Sequence, residues 1–481
     1  MKEEILRFHS VTLKVKNEKV LNDVSFCVTS GEVIGLLFRN DRGEKELKSL
    51  IRFNSQISNG RIYFENNLVN NYYKSDLSAN RVAVIQEEVS LIPGLSIADN
   101  VFVMRRGFRK FHIKESVLEN QLERALEEIG IQLDIHKPVE RLTVLERCIT
   151  ELIKAWLGGN RLVILDYLSN FMSPRLLWKF NQIVRHMADK GMAFLYVCHH
   201  HEEGFRYTDR LILFSDGMIK KKFDKDDMTE ENIRPFIQYF KANKGMAKRE
   251  EDILFEAKGI SCEGREEISF RIQAGKTTTI LDMDNQLMGD LIGILSGEII
   301  PDRGRLILEG NDITESTVSD RLREGIILMP EDPIRNFLFP CHSYMENLTF
   351  LLDRKLGTSI LPRKYLRSIR DEYGRLAGDS IDAKDITRLS EEQLYMLAYL
   401  RVRLYHPKLL VLVQPVMNET MYGRQNILRL IEMMQGEHIT ILILTTAVSD
   451  NLKVSDQLLI ARKGKIVAEY SEREFSSFTD G

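Results

Sequence analysis

The chain has 481 residues, of which 43% are hydrophobic and 28% charged, with 29 Gly and 11 Pro, a composition that excludes a disordered or collagen-like chain. At roughly 100–200 residues per domain, the length allows about two to four domains, each large enough to bury its own core. Lys plus Arg number 67 against 70 Asp plus Glu, a formal charge of −3, and a balance so near neutral advertises no nucleic-acid partner.

In chain order, the first half opens on strand-like segments that end in Val24-Ser25-Phe26-Cys27-Val28-Thr29-Ser30-Gly31. A loop-like stretch follows, Phe38-Arg39-Asn40-Asp41-Arg42-Gly43-Glu44-Lys45-Glu46, and then a strand pattern at Asn59-Gly60-Arg61-Ile62-Tyr63-Phe64. Helical patterns then alternate with short apolar runs, Leu162-Val163-Ile164-Leu165 and Phe194-Leu195-Tyr196-Val197. Runs with so little polar alternation suit parallel strands covered by helices on both faces. A buried helix segment is the alternative, disfavoured by their short length and flanking breakers.

The second half repeats the first. Ile268-Ser269-Phe270-Arg271-Ile272-Gln273-Ala274-Gly275 echoes the segment ending at Gly31, and Arg303-Gly304-Arg305-Leu306-Ile307-Leu308 echoes the one beginning at Asn59, both at an offset of 244 residues. Leu389-Ser390 matches Leu142-Thr143, and Lys463-Gly464 matches Asp216-Gly217, at an offset of 247, so three residues have entered the second copy in between. Apolar runs recur at 409–412 and 439–444. So long a period is not a solenoid repeat; it reads as one domain made twice, 1–243 and 244–481, joined near the charged stretch 241–252.

Further landmarks in the first half are Leu91-Ile92-Pro93-Gly94-Leu95-Ser96, the strand run closing on Asp166, and Tyr196-Val197-Cys198-His199. In the second half they are Met329-Pro330-Glu331-Asp332, Glu346-Asn347-Leu348-Thr349 and Leu389-Ser390. Their shared order resembles the ATP-binding cassette (ABC), in the tandem form of bacterial monosaccharide importers of the ribose and galactose type. The resemblance implies an α/β chain of two P-loop NTPase-like cassettes, each with an antiparallel β subdomain and a helical subdomain, in a head-to-tail pair. It also implies that residues 38–46, Asp166 and His199 would meet 389–393, and that 282–289 and Val413 would meet 142–146.

A phosphate-binding loop needs inward-pointing N–H groups, a Lys for the terminal phosphates and a Ser or Thr hydroxyl for magnesium. In the register the resemblance implies, Asn40 and Gly43 remain, Glu44 stands in place of the Lys, and Lys45 and Glu46 replace the two hydroxyl residues; Lys45 compensates in part if the loop shifts by one residue. The second loop, Asp282-Met283-Asp284-Asn285-Gln286-Leu287-Met288-Gly289, holds no Lys or Arg. Gly275-Lys276-Thr277-Thr278 imitates such a loop, but Gly275 pairs with Gly31, upstream of the first loop, so it reads as a decoy. Asp166 retains the strand-end carboxylate for magnesium, and Tyr167 replaces the catalytic Glu that polarises the attacking water; the second copy has Val413-Gln414. The signature loops 142–146 and 389–393 lack glycine, leaving Ser390 and Gln393 as nucleotide contacts. His199 retains the switch histidine, with Thr446 as its counterpart. The magnesium-sensing position is Gln86, or Glu87 in strict register, and Pro330-Glu331 in the second copy. Val15 replaces the aromatic on which adenine would stack.

The same residues have plainer readings. Asp166 equally serves as a structural hydrogen-bond acceptor for the neighbouring loop. Arg39, Arg42, Glu44, Lys45 and Glu46 read as a solvated helix start carrying its own ion pairs, which outweighs ATP binding in the usual geometry. His200 and His201 are expected to be solvated, because adjacent residues at a strand end point to opposite sides and do not converge on one ion. Asp99-Asn100 and Glu346-Asn347 are expected to cap helices. Residues 88–110 and 333–352, with Leu91, Ile92, Leu95, Phe337, Leu338 and Phe339, fit either a permease-facing groove or core packing.

Cys27, Cys148, Cys198, Cys262 and Cys341 are odd in number and scattered, as in a reducing cytosol. No signal-type segment follows Met1, and the run 439–444 is too short to cross a bilayer. The expectation is therefore a cytoplasmic cassette subunit, peripheral at the inner face of the cell membrane. Its implied partners are transmembrane permease subunits and a substrate-binding protein. ATP hydrolysis is impaired or lost, and ATP and Mg2+ are its cofactors if nucleotide is bound at all. The alternative is a non-hydrolysing scaffold or regulator that pairs with a permease or an active cassette protein. A cassette protein acting on ribosomes comes third, since the joint is short and no basic arm is visible.

Overall fold

Alternating burial and continuous burial separate the strands into two kinds. In Glu4–Val15 (β1) and Glu18–Thr29 (β2) one face goes inward, with Val24, Phe26 and Val28 buried at every second position. Val33–Phe38 (β3) is buried at all six positions, as a strand covered on both faces must be. Asn59–Phe64 (β4) and Asn67–Asn71 (β5) complete an antiparallel sheet of order β2-β1-β4-β5. The remaining first-half strands are Val82–Ile85 (β6), Leu162–Asp166 (β7), Ala193–Cys198 (β8), Arg210–Ser215 (β9) and Met218–Asp224 (β10). They join β3 in a six-stranded sheet of order β10-β9-β3-β8-β7-β6, parallel except for the β9–β10 hairpin.

This computed structural model describes residues 3–73, 75, 78–88, 90–102, 115–236, 252–261, 267–356, 361–417, 419–446 and 450–475. The expected joint at 241–251, Cys262 and residues 103–110 of the expected groove lie outside the described residues.

The second half has the same plan. Ile253–Ser261 (β11), Ile268–Gln273 (β12), Thr277–Asp282 (β13), Arg303–Leu308 (β14), Asn311–Asp312 (β15), Ile326–Met329 (β16), Leu409–Val413 (β17), Thr440–Thr445 (β18), Gln457–Arg462 (β19) and Lys465–Ser471 (β20) follow in order. They form the sheets β12-β11-β14-β15 and β16-β17-β18-β13-β19-β20. Equivalent side chains close equivalent bonds: Asp209 Oδ2 accepts from the Val33 amide at 2.8 Å, and Asp456 Oδ2 from the Thr277 amide at 2.8 Å. The chain divides into two compact units, Met1–Gln238 with Thr420–Tyr422, and Tyr239–Glu419 with Gly423–Gly481.

Helices cover the parallel sheets through apolar stripes at helical spacing. Pro174–Asp189 buries Leu177, Phe180, Val184 and Met187 in the first half. In the second, Ile427, Ile431 and Met434 of the helix Met421–Gly436 are buried. No helix among the described residues is long and apolar enough to cross a membrane.

The structure also locates the three-residue insertion. β6 and β16 still stand at an offset of 244, whereas Asn100 and Asn347 stand at 247 and make the same contacts. The Ile92 amide donates to Asn100 Oδ1 at 2.6 Å, and the Phe339 amide to Asn347 Oδ1 at 2.9 Å. The extra residues lie in the loop between, where the second half has the short helix Pro333–Asn336. Asn100 and Asn347 are fully buried and clasp the preceding loop from inside, rather than capping helices as expected. Their neighbours Asp99 and Glu346 do the capping, each bonded to a Ser three residues earlier.

Candidate functional site

The first-half site is built on the turn from β3 into the helix Glu44–Arg52. Gly43 precedes that helix at φ 84°, and a Cβ there would lie 2.4 Å from the Val20 carbonyl oxygen, so only glycine fits. Asn40 anchors the turn: its Nδ2 donates to Asp216 Oδ1 at 2.9 Å, and the Asp216 amide returns a bond to Asn40 Oδ1 at 3.1 Å. The helix then buries Glu44, Leu47, Leu50 and Ile51 and leaves Lys45 exposed. Lys45 therefore does not turn inward to compensate for Glu44.

Lys48, one turn beyond Glu44, reaches the site instead. Its Nζ lies 2.9 Å from Glu44 Oε1 and 3.0 and 2.9 Å from the two oxygens of Asp166. The three side chains retain only 19%, 9% and 14% of their exposure for Lys48, Glu44 and Asp166. Burial pushes against the charged ammonium, but Asp166 and Glu44 outweigh it and hold the Lys48 pKa above its ordinary value. Ion pairs at this helix start were expected; a largely buried Glu44 was not.

Tyr167 closes the cluster from above. Its ring stacks on His199 with centroids 3.8 Å apart and planes at 9°, and Lys48 Nζ sits 5.2 Å from its centroid. Burial first, and the negative charge of Glu44 second, hold the phenol pKa well above its ordinary value, so the hydroxyl stays protonated. Gln86, Glu87, Glu88, Asp166, Tyr167, Asn170 and Phe171 line a cleft of about 210 Å³. Four of the residues singled out from the sequence, Gln86, Glu87, Asp166 and Tyr167, thus line one cleft.

Tyr167 is left-handed at φ 50°, ψ 50°, and its amide donates to the Val197 carbonyl at 3.1 Å. Gln414, its equivalent, has φ 46° and donates to the Leu444 carbonyl at 2.8 Å. A non-glycine residue in that region costs about 1–2 kcal/mol, and both halves retain it at the end of the same strand.

In the second half, Thr446 Oγ1 donates to Gln414 Oε1 at 3.0 Å, and Gln414 Nε2 donates to Glu331 at 3.4 Å. Three positions that the resemblance aligns with the water-polarising, switch and magnesium-sensing residues, Gln414, Thr446 and Glu331, are therefore bonded to one another. In the loop after β13, Asp284 Oδ2 accepts from the Lys463 amide at 2.9 Å, the counterpart of the Asn40–Asp216 tie. Asp282 is buried and accepts from the amides of Leu287 and Met288. Gly275 is a turn residue and Thr277–Thr279 are buried inside β13, so the Gly-Lys-Thr sequence is no phosphate loop.

Ser390 and Gln393, expected to contact nucleotide, form a capping box on the helix Glu391–Tyr405: the Ser390 amide donates to Gln393 Oε1 at 2.9 Å and the Gln393 amide to Ser390 Oγ at 3.3 Å. Thr143 and Glu146 do the same for Val144–Leu157. Val15 is exposed near the β1–β2 turn. His201 is buried rather than solvated, because the chain turns into the helix His201–Tyr207 directly after β8 and carries its ring inward. Its Nε2 lies 2.6 Å from Glu230 and its Nδ1 3.3 Å from Glu202. The two carboxylates meet opposite ring nitrogens, a hydrogen-bonding arrangement rather than one metal ligand set. Lys48 escaped the sequence reading, although its spacing of four from Glu44 is an ion-pair signal.

Residues 21–169 match the family model for "ABC transporter". The ribose import ATP-binding protein RbsA of Caldanaerobacter subterraneus subsp. tengcongensis is 24% identical over 484 residues, covering 98% of this chain and 97% of that protein. The arabinose import ATP-binding protein AraG of Pectobacterium atrosepticum is 24% identical over 481 residues, covering 96% and 93%. Among solved structures, the complex of archaeal ribosomal stalk protein aP1 and ribosome recycling factor aABCE1 matches at a TM-score of 0.61 and 14% identity, over 98% of this chain and 92% of that one. At that identity it bears on the fold alone. The chain is an α/β protein of two tandem ABC-cassette-like halves, distantly similar over nearly its whole length to ATP-binding proteins of sugar import. A cassette of this family implies, in general, a site for ATP and Mg2+.

Proposed function

We propose that this chain is a cassette subunit of a sugar-type ABC importer, with one cassette in 1–243 and one in 244–481, and that it does not turn over ATP. In this reading permease subunits hold it at the inner face of the membrane, and a substrate-binding protein serves the same system. The full-length similarity to the ribose and arabinose import proteins supports the importer assignment.

One observation carries the loss of turnover: the Lys48 ammonium bonded to both oxygens of Asp166 and to Glu44. ATP chemistry needs a cation free for the terminal phosphates and a carboxylate free for magnesium. Here the two neutralise each other, and the Glu44 carboxylate adds negative charge beside the place a phosphate would need. Two like unit charges about 4 Å apart repel by roughly 4 kcal/mol at the effective dielectric of a protein surface. Tyr167, held protonated, offers no base to a water molecule. On these grounds the residues present do not fit ATP with Mg2+.

Equilibrium binding and phosphate release of the purified full chain test this reading. Wild type is expected to show neither micromolar MgATP binding nor magnesium-dependent turnover, and Glu44→Lys to bind more tightly than wild type. Turnover that disappears in His199→Ala would sink it. The mutually bonded Glu331, Gln414 and Thr446 also suit a scaffold or regulator beside an active cassette protein. Recovery of a second cassette chain with the permease complex separates that arrangement from a subunit working alone.

A further inference from the structure

The loop 282–289 leads into a helix whose first amides already meet a carboxylate of the same chain. The helix Met288–Ser296 begins at Leu287, whose side chain supplies no cap. The first amides of a helix are unsatisfied donors at the positive end of its dipole, which is why phosphates bind there. In this half those donors point at a carboxylate of the same chain. Asp282 Oδ2 accepts from the Leu287 amide at 2.7 Å and from the Met288 amide at 2.9 Å.

Asp282 is only 2% exposed, and its second oxygen, Oδ1, is buried without a hydrogen-bond partner. A carboxylate half satisfied in this way is expensive to bury. It is tolerated where the helix amides supply the compensating charge, which ties the loop and the helix start to the end of β13. The equivalent position in the first half is Phe38, whose ring stacks on Phe214 at 5.0 Å. The internal carboxylate thus belongs to the second half and is no general property of the repeat.

We infer that Asp282 stands in for a bound phosphate and closes the anion site of the second half, so that the amides a phosphate would use are already taken without any nucleotide. The inference rests on the cassette reading, but concerns the second loop only and does not depend on whether the first half turns over ATP. A phosphate entering the loop would have to displace a covalently tethered anion and then bear its charge at close range.

Thermal unfolding of the full chain and amide hydrogen exchange across 283–290, with and without inorganic pyrophosphate, test it. In wild type the Leu287 and Met288 amides are expected to be protected without added anion, and pyrophosphate to change neither protection nor unfolding temperature. Asp282→Ala, which empties the site, is expected to lower the second-half transition by roughly 5 °C and to regain most of that loss with pyrophosphate. Asp282→Asn retains an acceptor for the two amides and is expected to keep most of the stability. If Asp282→Ala does not fold, exchange in wild type and Asp282→Asn still decides. Rapid exchange in wild type, or slowing of it by pyrophosphate, overturns the inference. An Asp282→Ala variant that is destabilised but not restored by pyrophosphate reduces Asp282 to a helix cap and overturns it as well. ATP turnover arising in the first half would overturn the functional reading above and leave these readouts unmoved.

Discussion

Replacing Lys48 by Met removes one ammonium from between two carboxylates that have little access to water. Glu44 and Asp166 each contact Lys48 Nζ at 2.9 Å, so the variant leaves two negative charges facing each other with no cation. Deleting one partner of a buried ion pair typically costs about 3–5 kcal/mol. Lys48 retains 19% of its side-chain exposure, so water recovers part of that, and about 2–4 kcal/mol is expected. In a unit of this size 1 kcal/mol moves the unfolding temperature by roughly 2–4 °C, so the first-half transition should fall by roughly 5–15 °C in calorimetry. A double-mutant cycle with Asp166→Asn should return a coupling of about 1–3 kcal/mol, because removing one carboxylate relieves the repulsion left by the first change. An unfolding temperature within about 1 °C of wild type, together with additive single changes, would refute the account of Lys48 as the centre of a closed charge network.

The same lysine makes a pH prediction. Its pKa is raised in the folded state, so its stabilisation is complete below the unfolded lysine value of about 10.4 and is lost as pH rises through the higher folded value. The difference in urea midpoint between wild type and Lys48→Met should therefore be constant near neutrality and shrink above about pH 10.5; a difference that widens in alkali contradicts it. Arg401 is 1% exposed, donates to the Asn347 carbonyl and Oδ1 at 2.6 Å each and to the Phe337 carbonyl, and lies 4.9 Å from the Phe337 ring. Arg401→Met removes the donor to the Asn347 and Phe337 carbonyls, while Asn347 Oδ1 still accepts from the Phe339 amide, and should destabilise the second half by about 2–4 kcal/mol in urea unfolding. His406 ends the helix Glu391–Tyr405 in a left-handed conformation at φ 56°, ψ 69°. His406→Gly should stabilise by about 1 kcal/mol, and a loss of stability would show that its ring makes a contact worth more than the strain.

The parts of this molecule that depend on neighbours in sequence were legible from the chain alone. Apolar runs such as 409–412 are strands because they are short, branched and bounded by breakers, and they pair as parallel central strands. The offset of 244 becoming 247 placed equivalent residues in equivalent contacts: Asp209 and Asp456, Thr143 and Ser390, Tyr167 and Gln414. It also exposed the Gly-Lys-Thr decoy, since a strand core of buried threonines follows Gly275. The roles of Asn100, Asn347 and His201 were not legible, because whether a polar side chain caps, clasps or faces solvent depends on where the next loop passes.

The sequence by itself determined that one α/β unit is made twice; that the residues ATP chemistry would use are altered in both copies belongs to the proposal above. Periodicity and repeat register are local properties and survive without knowledge of the third dimension. What the side chains at those positions contact was decided only in the tertiary structure. Lys48 meets Asp166 across 118 residues, and Asp282 turns back onto amides five and six residues ahead. Such contacts depend on the angle at which a helix leaves a strand, and on which side chains burial has left with no partner but each other.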